Sequence, residues 1–206
     1  ELAGEIYVRS VEFSNDFIID KLEARGLRVR LSPKTEWVDY CGHVARQHEG
    51  RNRFADSFSH LVQKRIEATL LATLGPCLGW PKPPTLDDVL DAARPYISDE
   101  LEGEVVLTVG APLCEWRHRH IDAVVSVGPL ECMPTKIAEA QFYHVAEHEG
   151  LLSLTLSFNG DPVNTEPLDN FAFEVRARFQ PCGGIGRSTR SYFAAPAPGV
   201  SGLVQR

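Results

Sequence analysis

Ile121-Asp122-Ala123-Val124-Val125-Ser126-Val127-Gly128-Pro129-Leu130-Glu131-Cys132-Met133-Pro134 is the stretch that decides the fold. Ile121 to Val127 is a near-continuous apolar run, the pattern of a parallel strand covered on both faces. Gly128-Pro129 breaks it. Pro134 stands where a first-turn helix proline belongs, so a helix is expected from there to about His148, stopping near Gly150. Leu151 to Phe158 reads as a further strand ended by Asn159-Gly160, and Pro167 to about Phe179 as the helix that closes this half. Strand, helix, strand in that order is a crossover between parallel strands.

Working outward, the amino-terminal part repeats the pattern. Ile6-Tyr7-Val8 reads as a short strand. Ser14 and Asn15 offer caps to a helix carrying Phe17, Ile18, Leu22 and Ala24, which Gly26 stops. Leu27, Val29 and Leu31 then alternate with Arg28 and Arg30, a strand pattern. The middle is helical: one helix from Thr35 through Ala45, a longer one through Phe54 and Leu74 ending at Gly75-Pro76, and a third from the cap Thr85 to about Arg94. The proline-rich Gly79–Pro84 is a loop. Glu104 to Val109 leaves helix and strand both open. The expected architecture is an open, mainly parallel Rossmann-like or flavodoxin-like sheet with helices on both faces. Residues 1–180 form a single lobe of this kind. The Gly-, Ser- and Pro-rich 181–206 is expected to be an extended or disordered tail. The chain opens at Glu1 without a methionine or a basic-then-apolar leader, so a trimmed chain or an excised part of a longer polypeptide is expected.

Composition excludes some classes of function. The formal charge of −7 repels phosphate backbones, so nucleic acid is not an expected partner. No apolar run approaches the roughly 20 residues that span a bilayer, so neither is a membrane. The five cysteines, Cys41, Cys77, Cys114, Cys132 and Cys182, are odd in number and widely spaced. That argues against a disulfide framework and fits a reducing cytoplasm.

The chemistry is expected in the loop Gly128–Pro134. Ligands on doubly wound sheets bind at the carboxyl ends of the strands, and this loop lies at one such end. Cys132 stands between a buried strand and a helix start, where backbone N–H groups and the helix dipole favour the thiolate, the form that binds metals. Gly128 allows a sharp turn or a close approach. Glu131 and Lys136 flank the thiol and tune its charge, touch a substrate or simply solvate a helix start. The plainer alternative for Cys132 is a small residue packed in a strand–helix turn.

Gly128-Pro129-x-x-Cys132-Met133-Pro134, followed by Ile137-Ala138-Glu139, resembles the carboxy-terminal region of the 2-hydroxyacyl-CoA dehydratase-like proteins. More narrowly it resembles the large CoA-enzyme activases, the activators of (R)-2-hydroxyglutaryl-CoA dehydratase. Gly4-Glu5-Ile6-Tyr7-Val8-Arg9, Asn15, Leu22-Glu23, Gly26, Glu36-Trp37 with Tyr40, Gly103-Glu104 and Val109-Gly110 carry the same resemblance, as does Leu154 through Asn159-Gly160 to Phe171. It covers most of residues 4 to 180. It implies Rossmann-like lobes facing each other across a cleft, with a [4Fe–4S] cluster held there by cysteine thiolates. Cys132 matches the one ligand that the second lobe gives. Gly128, Pro129, Glu131 and Met133 are then the surrounding substrate or cluster loop. The implied partners are a missing amino-terminal lobe or partner subunit and an ATP-dependent activase domain, and the implied ligand is an acyl-CoA. Cys41, Cys77, Cys114 and Cys182 have no counterpart in the family pattern. A cubane needs several thiolates, so another lobe or chain must share this one.

Other constellations are weaker. Cys41 with His43 and His48, and Cys114 with His118 and His120, have spacings that suit metal but show no closed set of four ligands. His144 and His148 share a helical face without a His-Glu-x-x-His pattern. Gly183-Gly184-Ile185-Gly186-Arg187-Ser188 lacks the preceding strand and the lysine of a phosphate loop, so ATP is not expected to bind to this chain. Two functions remain: a lobe contributing a cluster ligand to ATP-driven electron transfer toward an acyl-CoA dehydratase, or a non-catalytic scaffold that has lost the cluster.

Overall fold

A computed structural model describes residues 1–48, 53–79, 81–98, 100–101 and 103–179. The expected 181–206 tail, with Cys182 and the Gly183–Ser188 loop, lies outside the described residues.

At the centre is β2 (Ala123–Pro129), flanked by β1 (Leu2–Gly4) and β3 (Leu152–Phe158), all parallel in the order β1-β2-β3. Leu2 pairs with Val125 and Gly4 with Val127, while Ala123 pairs with Leu152 and Pro129 with Phe158. Beyond β1 the chain returns for one parallel bridge, Leu31 to Leu2. The Leu2 N–H donates to the Arg30 carbonyl at 2.8 Å and the Ser32 N–H to the Leu2 carbonyl at 3.0 Å.

Helices cover both faces. Between β1 and the bridge run α1 (Ile6–Ser10) and α2 (Glu12–Glu23). Ile18 and Leu22 of α2 pack with Leu2, Val125 and Val127 on one face, together with Leu168, Phe171 and Val175 of α8 (Glu166–Phe179). The other face takes Val124 and Ala3 against α5 (Leu86–Ala93), α6 (Val105–Arg117) and α7 (Met133–Glu149). Alternate β2 residues thus feed two cores, which explains its unbroken apolar run. On this face α3 (Thr35–His48) adds Tyr40 to the same core, and α4 (Arg53–Leu78) is joined to α3 by Thr35 donating to Glu67 at 2.6 Å and by the Lys64–Asp39 ion pair. At Thr85 a capping box closes the start of α5, worth about 1 kcal/mol.

Five sequence expectations shift. Ile6-Tyr7-Val8 is helix, not strand; the strand is Leu2–Gly4, because a glycine at position 4 lets the backbone lie against Val127. A Cβ there would meet the Val127 oxygen at 2.0 Å. Ser14 and Asn15 lie inside α2, whose cap is Val11, and Asn15 is buried with its amide donating to the Arg9 carbonyl. The strand at Leu27–Leu31 is a single bridge, as β1 offers only three residues to pair with. Gly128-Pro129 does not break β2, since pairing with β3 continues to Phe158. Proline is tolerated because it lies past the last pair with β1. The long helix runs through Pro76 to Leu78. The open stretch Glu104–Val109 resolves as the start of α6, buried continuously from Val105 to Glu115. A helix buried on all sides loses the periodicity that would have distinguished it.

Candidate functional site

The crossover from β1 returns on one side by way of α2, and the crossover from β2 returns on the other by way of α7 on the opposite face. The chain therefore diverges between β1 and β2. In open α/β sheets such a switch point leaves a crevice at the carboxyl ends of the strands, where ligands sit. Two loops border it, Glu5 with the start of α1 and Gly128 through Met133. They are held together by the Glu5 N–H donating to the Val127 carbonyl at 2.8 Å.

The second loop is fixed at several points. The Leu130 N–H donates to the Phe158 carbonyl at 2.8 Å, and the Cys132 N–H to the Pro129 carbonyl at 3.2 Å. Glu131 adopts a left-handed φ of 62°, a conformation that costs an ordinary side chain on the order of 1 kcal/mol. Thr135, 2% exposed, sits so close over Gly128 that a Cβ there would stand 2.0 Å from its Oγ1. These contacts seat the first turn of α7 on β2. Cys132 is its cap residue, partly buried, with a side chain that makes no capping hydrogen bond. Around it Pro129, Leu130, Glu131 and Met133 are exposed while Gly128 is buried.

The first loop is closed by carboxylates. Glu5 accepts from the Val8 N–H at 2.8 Å, and Glu104, just before α6, accepts from the Ile6 N–H at 3.0 Å. Burial raises the Glu104 carboxyl above the usual range. Arg9, 6% exposed, donates to the Gly4 carbonyl at 2.8 Å and the Ser32 carbonyl at 3.0 Å, binding the end of β1 to the bridge segment. Burial pushes the Glu36 carboxyl up to about 8, with the charge of Glu1 adding to the effect and Arg9 opposing it. Glu5, Arg9, Glu36 and Glu104 were visible in the sequence only as carriers of the family resemblance. No spacing rule connects Ile6 with Glu104, 98 positions away.

Among the described residues, the other cysteines and histidines do not join Cys132. Cys41 and Cys77 are exposed and Cys114 is buried. The Cys114 sulfur lies 3.6 Å from His118 Nδ1, but burial pushes its thiol up to about 12, opposing the thiolate that a metal needs. His120 Nδ1 is 2.6 Å from Glu115, which also pairs with Arg30 at 2.7 Å, an ion network near the amino ends of the strands. His43 bonds Gln47 at 2.9 Å. The His48 side chain lies outside the described residues, and His144 and His148 are exposed on α7. Among the described residues no group of three or more His, Cys, Asp or Glu side chains is placed to hold a metal ion. A cubane does not fit the described donors of this chain by itself: they offer one thiol at the crevice, and the others would have to come from elsewhere.

The fold places the protein in the class of open, parallel α/β sheets with helices on both faces. Comparison with protein-family models, with curated proteins and with solved structures finds no match. No helix among the described residues is long and apolar enough to cross a membrane.

Proposed function

We propose that this chain is one lobe of a 2-hydroxyacyl-CoA dehydratase-like or activase-associated iron–sulfur protein, and that Cys132 gives one thiolate to a [4Fe–4S] cluster shared with another lobe or chain. The observation that carries the reading is the place of Cys132. It caps α7 at the switch point, on a loop fixed by backbone contacts, with its side chain free of the cap. A cluster there would supply one low-potential electron, delivered by an ATP-dependent activase domain, to an acyl-CoA dehydratase. Cys132 would hold its share of the iron, and Gly128, Pro129, Glu131 and Met133 would shape the approach. The setting is a reducing cytoplasm.

A second reading keeps the fold and drops the cluster: a scaffold domain that docks another lobe. The exposure of Leu130 at 50% and Met133 at 68%, on either side of Cys132, favours it. Iron analysis of the intact protein, purified anaerobically with its partner lobe, separates the two. The cluster reading expects iron in the wild type and its loss in Cys132→Ala; iron-free wild type would leave only the scaffold.

A further inference from the structure

The long helix α4 leaves an apolar ridge uncovered. Val62, Ile66, Leu70 and Leu74 recur every four residues, so they stand in one row along the helix, and each is 41% or more exposed. The first three line a groove of about 660 Å³ together with Leu31, Pro33 and Pro81. Polar residues beside the ridge tie α4 to α3, through Thr35 with Glu67 and Asp39 with Lys64, and these ties leave the groove open. A contiguous apolar patch of this kind marks a surface that something else covers.

The end of the described chain lies close to this groove. Phe179, the last described residue, lines a second cavity. Arg30 and Pro81 line both, so the two adjoin. We propose that the chain covers the groove itself, with its own segment Tyr192-Phe193-Ala194-Ala195-Pro196-Ala197-Pro198. Residues 180–191 extend to about 40 Å, ample to cross two adjoining cavities. Tyr192 and Phe193 bring the largest apolar area to the ridge. Pro196 and Pro198 hold the following backbone extended, which lowers the entropy lost on docking. Charge favours the approach: residues 180–206 hold Arg187, Arg190 and Arg206 and no acidic residue, while the chain as a whole carries −7. The docked segment straps α4 to the bridge segment and the proline loop. The proposal is independent of what Cys132 binds.

Photocross-linking of the intact chain, with benzoylphenylalanine in place of Phe193, tests this. Irradiation is expected to join position 193 to residues 62–70, 31–33 or 81–83 of the same chain. Cross-links mapped elsewhere, or none, would overturn the proposal. Cross-links between two chains, seen as a doubled mass, would assign the groove to a second copy and overturn it as well. Ile66→Glu puts a charge into the groove and is expected to lower the yield about ten-fold. Phe173→Glu, at a residue 76% exposed on α8, is expected to leave the yield unchanged. Tyr192→Asp alters the segment without touching α4, so a fall in its yield matching that of Ile66→Glu cannot come from unfolding of the helix. An undiminished yield in Tyr192→Asp would overturn the proposal.

Discussion

Glu36 opens α3 beside Glu1, Arg9, Glu115 and Arg30, and burial raises its carboxyl to about 8. An unfolded chain releases that proton near pH 4.3. The native state therefore binds the proton more tightly across the interval, and stability falls as pH rises from about 4.5 to about 8. Glu104 is shifted in the same direction. Glu36→Gln keeps the shape and removes the charge. Urea unfolding at pH 5 and pH 8 is expected to show the variant gaining on wild type at the higher pH by about 2 kcal/mol, the full shift discounted for remaining exposure. Parallel behaviour at both pH values would contradict it. At this scale the sequence located Cys132, because a helix-start cysteine after a buried strand is a local pattern. It could not show Arg9 binding Ser32, or Glu104 closing Ile6, because those contacts join distant segments.

Elements were legible where local signals agreed and illegible where tertiary contacts overrode them. The start of α7 at Pro134 and its left-handed stop at Gly150 followed from residue type, as did the Thr85 cap. Ile6–Val8 went the other way: its β-branched residues favour a strand, but the Glu5 and Glu104 carboxylates satisfy the N–H groups of a helix start. Helix and strand could not be told apart at the start of α6, since Val105 through Glu115 are buried without alternation. The joint between β2 and α7 yields a direct test. Gly128→Ala drives a methyl into Thr135, with atoms at 2.0, 2.9 and 3.0 Å, so the helix start must shift. Overpacking of this kind costs about 2 kcal/mol, measurable by chemical denaturation. A variant as stable as wild type would mean that α7 is not seated on Gly128.

For the whole molecule, alternating strands and helices predicted a parallel sheet with two covered faces, and the order β1-β2-β3 with the Leu31 bridge bears this out. The sequence did not reveal the switch point between β1 and β2, because strand order depends on which face each crossover takes. What Cys132 binds there is the central question, and differential alkylation answers it most directly. In the anaerobic, intact protein the cluster reading predicts that Cys132 resists iodoacetamide until iron is chelated and then reacts, as expected of a bound thiolate. Exposed Cys41 and Cys77 serve as references. Reaction of Cys132 at one rate with and without iron would contradict it.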